Sequence, residues 1–172
     1  MKKNTALLLA LCLATAPLAA QAGVLNVTGE IVQSTCTVGS ASANLNIDLG
    51  RVDASQLATA GDEAALTAMP ITLDCVADNQ QVAVMFGSQA NADATSGHLN
   101  LLPGVDAASN VQVAIYNQAG EKQRVNHAPT AGSFVSTVNG SLTLNYLAAF
   151  HATGQATPGL ANTNAVFTVV YQ

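Results

Sequence analysis

Apolar and polar residues alternate along much of the chain, in short runs that Gly, Asn, Asp and Pro interrupt. A period of two is typical of a β-strand that buries one face, and no stretch has a helical period with caps. Seven or more short strands of this kind predict a two-sheet antiparallel sandwich. Their apolar positions are Leu25, Val27, Gly29 and Ile31; Leu45, Ile47 and Leu49; Ile71 and Leu73; Val82, Val84 and Phe86; Val111, Val113 and Ile115; Leu142, Leu144, Tyr146, Ala148 and Phe150; and Ala165, Phe167, Val169 and Tyr171.

The segments between these runs contain residues that favour turns. Asn139-Gly140 suits a tight turn, as do residues 118–120, which end in Gly120. Residues 53–68 are rich in Ala and are compatible with either a short helical turn or a flexible crossover between strands. The sequence has no internal repeat and predicts one domain.

The first 22 residues have the layout of a secretory signal peptide. Lys2 and Lys3 form a positive start, residues 6–16 form an apolar segment, and Ala20-Gln21-Ala22 is a small-x-small cleavage site. The apolar segment is shorter than the roughly 20 residues that a membrane span needs. Lipidation at Cys12 is an alternative, but Leu11 stands where a lipoprotein signal has a small residue.

Removal of the signal leaves three basic side chains, Arg51, Lys122 and Arg124, against ten acidic ones. An acidic surface of this kind argues against nucleic acid as a partner, and against an anionic membrane.

Cys36 and Cys75 are the two cysteines that remain after residue 22. In an exported protein, two cysteines most simply form one disulfide, and two buried free thiols are the alternative. Two thiols alone do not complete a tetrahedral metal site, so no metal is predicted.

Both ends of the mature chain alternate like strands, although terminal residues usually fray unless something holds them. A strand at the start, with no hairpin partner nearby, is either an ordinary edge strand or a strand that pairs with another molecule. Periodicity alone favours the ordinary edge strand.

Longer motifs resemble the type 1-like fimbrial subunits (pilins) of the chaperone–usher pathway. The N-terminal part of the mature chain contains Leu-Asn-Val-Thr-Gly-Glu-Ile (25–31), followed by Cys36-Thr37-Val38. The back carries Gly159, fourteenth from the end, then alternating apolar residues and a penultimate Tyr171. Internal segments such as 47–52, 71–75, 84–87 and 113–117 also resemble the family, so the resemblance extends across the mature chain.

The resemblance implies an all-β, incomplete immunoglobulin-like sandwich that lacks its last strand and carries an N-terminal donor-strand extension. It divides the chain into a signal peptide (1–22), the extension (23–35) and a pilin domain (36–172). In this family a periplasmic chaperone first fills the open groove. The extension of a neighbouring subunit then replaces it at the outer-membrane usher, and the assembled fimbrium supports cell adhesion at the cell surface.

The resemblance also assigns residues to these roles. Leu25, Val27 and Ile31 would fill a neighbour's groove from one face of the extension, and Gly29 would fit a shallow part of it. A bulge at Gly29 in an ordinary strand is the alternative. At the other end, Gly159, Phe167, Val169 and Tyr171 would belong to the strand that edges the groove and pairs with the chaperone. Phe167 and Val169 could equally be ordinary core residues.

No catalytic constellation is recognisable, and the sequence predicts neither an enzyme nor a cofactor. His98, His127 and His151 lie in polar or turn-like stretches and are predicted to be solvated, with His151 facing away from Phe150. The chain is too short for a binding domain ahead of Cys36. For this reason the sequence favours a structural polymer subunit, and a secreted carbohydrate-binding or adhesive sandwich is the second hypothesis. The sequence does not distinguish a major shaft subunit from a minor adaptor.

Overall fold

The computed structural model describes residues 26–28 and 35–172. The chain divides into two units, Met1–Val32 and Gln33–Gln172. Of the first unit, only residues 26–28 are described, and they have no regular secondary structure. The predicted signal peptide lies outside the described residues, as do Leu25, Gly29 and Ile31. The second unit contains all the helices and strands of the described residues.

Strands make up nearly all of the regular structure in residues 35–172. Two 3-10 helices, Ala54–Leu57 and Ala131–Ser133, accompany them. The strands are β1 (Cys36–Val38), β2 (Glu63–Cys75), β3 (Gln81–Gly87), β4 (Leu99–Asn100), β5 (Val111–Tyr116), β6 (Lys122–Gln123), β7 (Val135–Ser136), β8 (Gly140–Ala152) and β9 (Val166–Tyr171). Within this described part, no helix has the length and apolarity that crossing a membrane requires.

The strands form two antiparallel sheets. The larger sheet has the order β1-β2-β8-β5-β4, with β6 also paired to β5, and the smaller has the order β7-β3-β9. The two sheets bury a common core to which Ile71, Leu73 and Leu144 contribute from the larger sheet and Val82 and Val84 from the smaller. The sandwich predicted from the alternating runs is therefore the fold that forms.

Tyr146 connects the two sheets through a polar contact inside the core. Its ring meets Phe86 edge-on at 5.1 Å, and its hydroxyl accepts a hydrogen bond from the backbone N–H of Val84 at 3.0 Å. A buried phenol needs such a partner for its polar end.

The disulfide predicted between Cys36 and Cys75 is present and joins directly opposed residues of β1 and β2. Closing a loop of 39 residues reduces the entropy of the unfolded chain, which in the chain-entropy model is worth on the order of 4 kcal/mol.

Two expectations about the segments before β2 need correction. The run Leu45, Ile47, Leu49 does alternate between half-buried and exposed positions, but it has no strand partner among the described residues. Residues 53–68 do contain a short helical turn, but their second half is strand, because β2 begins at Glu63. A bulge between Ala64 and Thr67, with Ala65 at φ 58°, shifts the register there.

Candidate functional site: an open groove along β9

A groove of about 1270 Å³ runs between the two sheets. Its floor is apolar and is built from residues that the sandwich core already buries. The floor residues are Leu57, Met69, Ile71, Phe86, Leu99, Val111, Val113, Ile115, Ala148, Phe150 and Ala156. The groove therefore gives access to residues of the hydrophobic core and is not a depression on the outer surface of the sandwich.

Residues 45–49 form the first wall of the groove. Leu45, Ile47 and Leu49 are half-buried against the core, whereas Asn46 and Asp48 are exposed. Among the described residues, the backbone groups of this wall make no hydrogen bond to other backbone. The wall therefore has the side-chain pattern of a strand and an unpaired backbone.

The edge strand β9 forms the second wall. Gln172 donates its N–H to Gln81 of the neighbouring segment at 3.0 Å. In an antiparallel pair, hydrogen-bonded and non-bonded residues alternate, so Thr168 and Val170 bond β3 while Phe167 and Val169 direct their backbone groups away from it. The residues of β3 opposite Val169 and Phe167 are Val84 and Phe86. Their backbone groups also turn away from β9, because Val84 N–H bonds the Tyr146 hydroxyl and Phe86 C=O bonds Asn126 N–H.

The outward backbone groups of Phe167 and Val169 have no hydrogen-bond partner within residues 35–172. Their side chains point towards the core, with Phe167 in the groove at 6.4 Å from Phe86. The edge thus offers unpaired N–H and C=O groups above an apolar floor, and an extended strand satisfies both at once.

Side-chain hydrogen bonds hold the segment that precedes β9. Thr163 Oγ1 donates to Asn100 O at 2.7 Å, and Asn91 Nδ2 donates to Asn164 O at 3.2 Å. Leu102 N–H also bonds Asn162 O at 2.7 Å. The place of residues 160–164 along the groove was not predicted, because Asn162, Thr163 and Asn164 are held by contacts with distant loops that no local pattern reveals.

The predicted edge residues occupy different positions. Phe167 lines the groove, and Val169 packs against the core beside it. Gly159 also lines the groove but lies against the backbone of residues 106–108. Tyr171 is not among the lining residues and instead bonds the start of β1. The structure brings Phe167 and Gly159 to one groove and places Tyr171 past its end.

A polar cluster on the outer face of the larger sheet was not predicted. We call Glu63, His98, Tyr116, Lys122 and His151 the outer-face cluster. The Glu63 carboxylate accepts hydrogen bonds from the Tyr116 hydroxyl, from Lys122 Nζ at 2.9 Å and from His151 Nδ1 at 3.0 Å. The His98 and His151 rings meet edge-on at 4.5 Å.

The cluster corrects the prediction for two histidines. His98 is 95% buried, since its exposed fraction is 5%, and His151 does face away from Phe150 but packs on His98 and Glu63 rather than in solvent. Four strands and a loop bring these residues together, so no sequence spacing shows the contact. In the described part of the chain, no group of three His, Cys, Asp or Glu side chains is placed to hold a metal ion.

Charge and burial shift the ionisation of this cluster. Burial raises the pKa of Glu63, but the hydrogen bonds from Tyr116, Lys122 and His151 and the Lys122 charge outweigh it and lower that pKa to about 2. Burial lowers the pKa of His98, and the neighbouring His151 and Lys122 charges lower it further. Burial and the Glu63 carboxylate raise the pKa of Tyr116. Glu63 is therefore charged at neutral pH, and His98 is neutral.

The fold and its groove define an immunoglobulin-like sandwich that is one strand short beside β9. Comparison with protein families gives a match to "Fimbrial protein" over residues 25–172. The chain belongs to this fimbrial protein family and is a type 1-like subunit of the chaperone–usher kind. The family consists of structural subunits that polymerise into surface pili, and it is not an enzyme family.

Relatives in several bacteria share most of the chain. The F17 fimbrial protein of Escherichia coli is 34% identical over 158 residues, which are 87% of each chain. The type-1 fimbrial protein A chain of E. coli K12 is 35% identical over 87% of this chain and 84% of its own. The major fimbrial subunit SMF-1 of Stenotrophomonas maltophilia is 33% identical over 92% and 99%.

Solved structures share the fold. The P pilus rod subunit PapA superposes with a TM-score of 0.64 at 19% identity, covering 81% of this chain and all of PapA. A chaperone–usher pilus structure described in terms of rod uncoiling gives a TM-score of 0.63 over 92% of this chain and all of its own.

Proposed function

We propose that the chain is a structural subunit that polymerises by donor-strand exchange, and that its groove accepts residues 23–35 of a neighbouring subunit. Leu25, Val27 and Ile31 of that segment enter the groove from one face, with Gly29 between them. The subunit's own residues 23–35 enter the groove of the next neighbour. Residues 1–22 act as the export signal, and residues 36–172 form the pilin domain.

One observation carries the proposal. The outward backbone groups of Phe167 and Val169, unpaired in the described chain, border an apolar floor. At roughly 25 cal/mol per Å², a few hundred Å² of exposed apolar surface costs several kcal/mol, so the groove needs an occupant in water. An alternating extended segment supplies both the backbone pairing and the apolar side chains.

The same argument implies a temporary occupant before assembly. A groove of this kind aggregates if it stays open in the periplasm, and a periplasmic chaperone that lends a strand to β9 prevents this. Exchange at an outer-membrane usher then replaces the chaperone strand with the neighbour's extension. Support for this pathway comes from the family, whose members assemble surface pili, and the assembled fibre supports adhesion.

The experiment moves residues 23–35 to the C-terminus through a flexible linker and measures the melting temperature. The reference chain lacks residues 23–35. The matched control carries the moved segment with Leu25, Val27 and Ile31 all replaced by Ser. We expect a large gain in melting temperature for the moved native segment and little gain for the control.

The outcomes separate the two subunit types and the rival hypothesis. A gain with the chain's own segment supports self-polymerisation as a shaft subunit. A gain only with another subunit's segment supports a minor adaptor. A reference chain that is already stable and monomeric without any added strand contradicts donor-strand exchange and favours the secreted carbohydrate-binding module.

A further inference from the structure

The phenol of Tyr171 holds the junction at which the predicted extension meets the domain. Its oxygen accepts hydrogen bonds from the backbone N–H of Cys36 at 2.7 Å and of Thr35 at 3.1 Å. Its O–H group lies 3.2 Å from the C=O of Cys36, to which it donates. Thr35 is the last residue of the segment 23–35, and Cys36 is the first residue of β1.

The junction is also fixed on its other side. Cys36 is covalently joined to Cys75 of β2, and Thr35 C=O accepts a hydrogen bond from Val76 N–H at 2.8 Å. The disulfide and this hydrogen bond tie the junction to the larger sheet. Tyr171 ties it to β9, which belongs to the smaller sheet.

This position connects the two functional parts of a subunit. Tyr171 and Phe167 lie on the same strand and the same face, four residues apart, and Phe167 lines the groove. In the proposed assembly, β9 would pair with the extension of a neighbouring subunit. The same strand, through Tyr171, also bonds Thr35 and Cys36, where the subunit's own extension joins the domain.

We propose that Tyr171 is a positioning residue for fibre assembly: its phenol holds the backbone of Thr35 and Cys36, where the proposed extension joins the domain, against β9, the strand that edges the groove. This inference rests on the proposed function. It gives the penultimate tyrosine a task within the subunit, separate from the chaperone contact expected from the family resemblance. Without the phenol, the disulfide still holds Cys36, but the backbone N–H groups of Thr35 and Cys36 lose this acceptor, so the junction is held less firmly against β9.

The test compares Tyr171→Phe with Tyr146→Phe in the full mature chain. Each change removes one phenolic oxygen that accepts a backbone N–H, from Thr35 and Cys36 in the first case and from Val84 in the second. Tyr146 is therefore the matched control for the general loss of a buried hydroxyl. Amide hydrogen exchange is measured residue by residue, and electron microscopy gives the distribution of bend angles between neighbouring subunits in the fibres.

We expect Tyr171→Phe to speed exchange at Thr35 and Cys36 by about tenfold or more, as loss of a hydrogen bond worth about 1.4 kcal/mol implies. Its fibres should show a broader distribution of bend angles. Tyr146→Phe should speed exchange at Val84 and leave both the junction amides and the bend angles as in the unaltered chain.

Unchanged exchange at Thr35 and Cys36 in Tyr171→Phe would overturn the inference. Faster exchange together with unchanged bend angles would also overturn it, because the phenol would then be a local bond with no effect on assembly geometry. Both results leave the proposed function standing if fibres form. A failure of the unaltered chain to form any fibre would overturn the proposed function as well.

Discussion

Gly159 lies so close to Ala108 that a Cβ atom built on the glycine would stand 2.4 Å from the Ala108 backbone nitrogen. The carbonyl carbon of Ala107 would be 2.6 Å away. Adjacent hydrogen bonds, Ala108 N–H to Leu160 O at 2.9 Å and Leu160 N–H to Asp106 O at 2.6 Å, hold the two backbones together. Only a residue without a side chain fits this approach, and both Gly159 and Ala108 line the groove.

Gly159→Ala should therefore destabilise the domain. The obstructing atoms are backbone and cannot rotate away, so we expect a loss of roughly 1–3 kcal/mol, as for other overpacked sites. Gly104→Ala is the matched control, because a Cβ at Gly104 meets nothing within 4 Å. Thermal melting of both variants in the donor-complemented chain checks this, and equal melting temperatures would show that the approach relaxes freely.

The alternation of backbone groups along β9 predicts different effects for proline at neighbouring positions. Val169→Pro removes an N–H that faces away from β3, whereas Thr168→Pro removes one that bonds it. Edge strands tolerate proline when its position faces outward. We expect Thr168→Pro to lower the stability of the domain with or without a donor strand. Val169→Pro should mainly reduce the gain in melting temperature on adding the donor, and the reverse order would contradict the phase assigned to β9.

Gly29→Leu should impair fibre assembly. In the proposed donor segment Gly29 shares a face with Val27 and Ile31, and a bulky side chain there overpacks the groove. Thr28→Leu adds the same side chain on the opposite face and is the control. Fibre yield measures both, and normal assembly of Gly29→Leu would instead support an ordinary bulge at this glycine.

Acid should weaken the domain through His98. Burial, first, and then the His151 and Lys122 charges lower its folded pKa below the unfolded value of 6.5, while a Gln112 hydrogen bond and the Glu63 carboxylate act in the opposite direction. Asp93 is the other charged group near the ring. As the pH falls, His98 is therefore protonated in the unfolded chain before it is protonated in the folded one. The free energy of unfolding falls as the pH drops below 6.5 and levels off below the folded pKa of His98.

Denaturant unfolding between about pH 8 and pH 5 measures this effect, because histidines titrate in that range. Glu63, whose pKa is about 2 in the folded protein, loses its stabilising charge only at lower pH. His98→Gln should flatten the pH dependence. An identical slope for His98→Gln and the unaltered chain would refute the assignment.

The strands that sequence alone predicts best are those with one face on the core. Leu142, Leu144 and Tyr146 in the first part of β8 alternate with exposed residues, because that part of the strand has one face on the core and one in solvent. By contrast, β5 is buried on both faces, since the outer-face cluster covers it. The alternating pattern of β5 predicts the strand, but it does not predict the outer-face cluster that covers the second face.

Contacts between distant segments are not predictable from local patterns. Residues 45–49 alternate like a strand because their apolar side chains face the core. They are nevertheless not a strand, because no described residue of the chain pairs with their backbone. The bulge at Ala65 and the meeting of His98 with His151 depend on register between β2, β5 and β8. Tyr171 was predicted from a terminal motif, but its contact with Cys36, 135 residues away, depends on how the sheets fold.

The disulfide has a mechanical consequence in a fibre built this way. In such a fibre, tension between neighbouring subunits would enter each domain where the proposed extension ends, at Cys36, which starts the three-residue strand β1. Hydrogen bonds alone would let so short a strand peel away one pair at a time. The bond to Cys75 instead passes the load to β2, which pairs with β8 along most of its length. The load then falls on the β2–β8 ladder, the longest among the strands of the described residues.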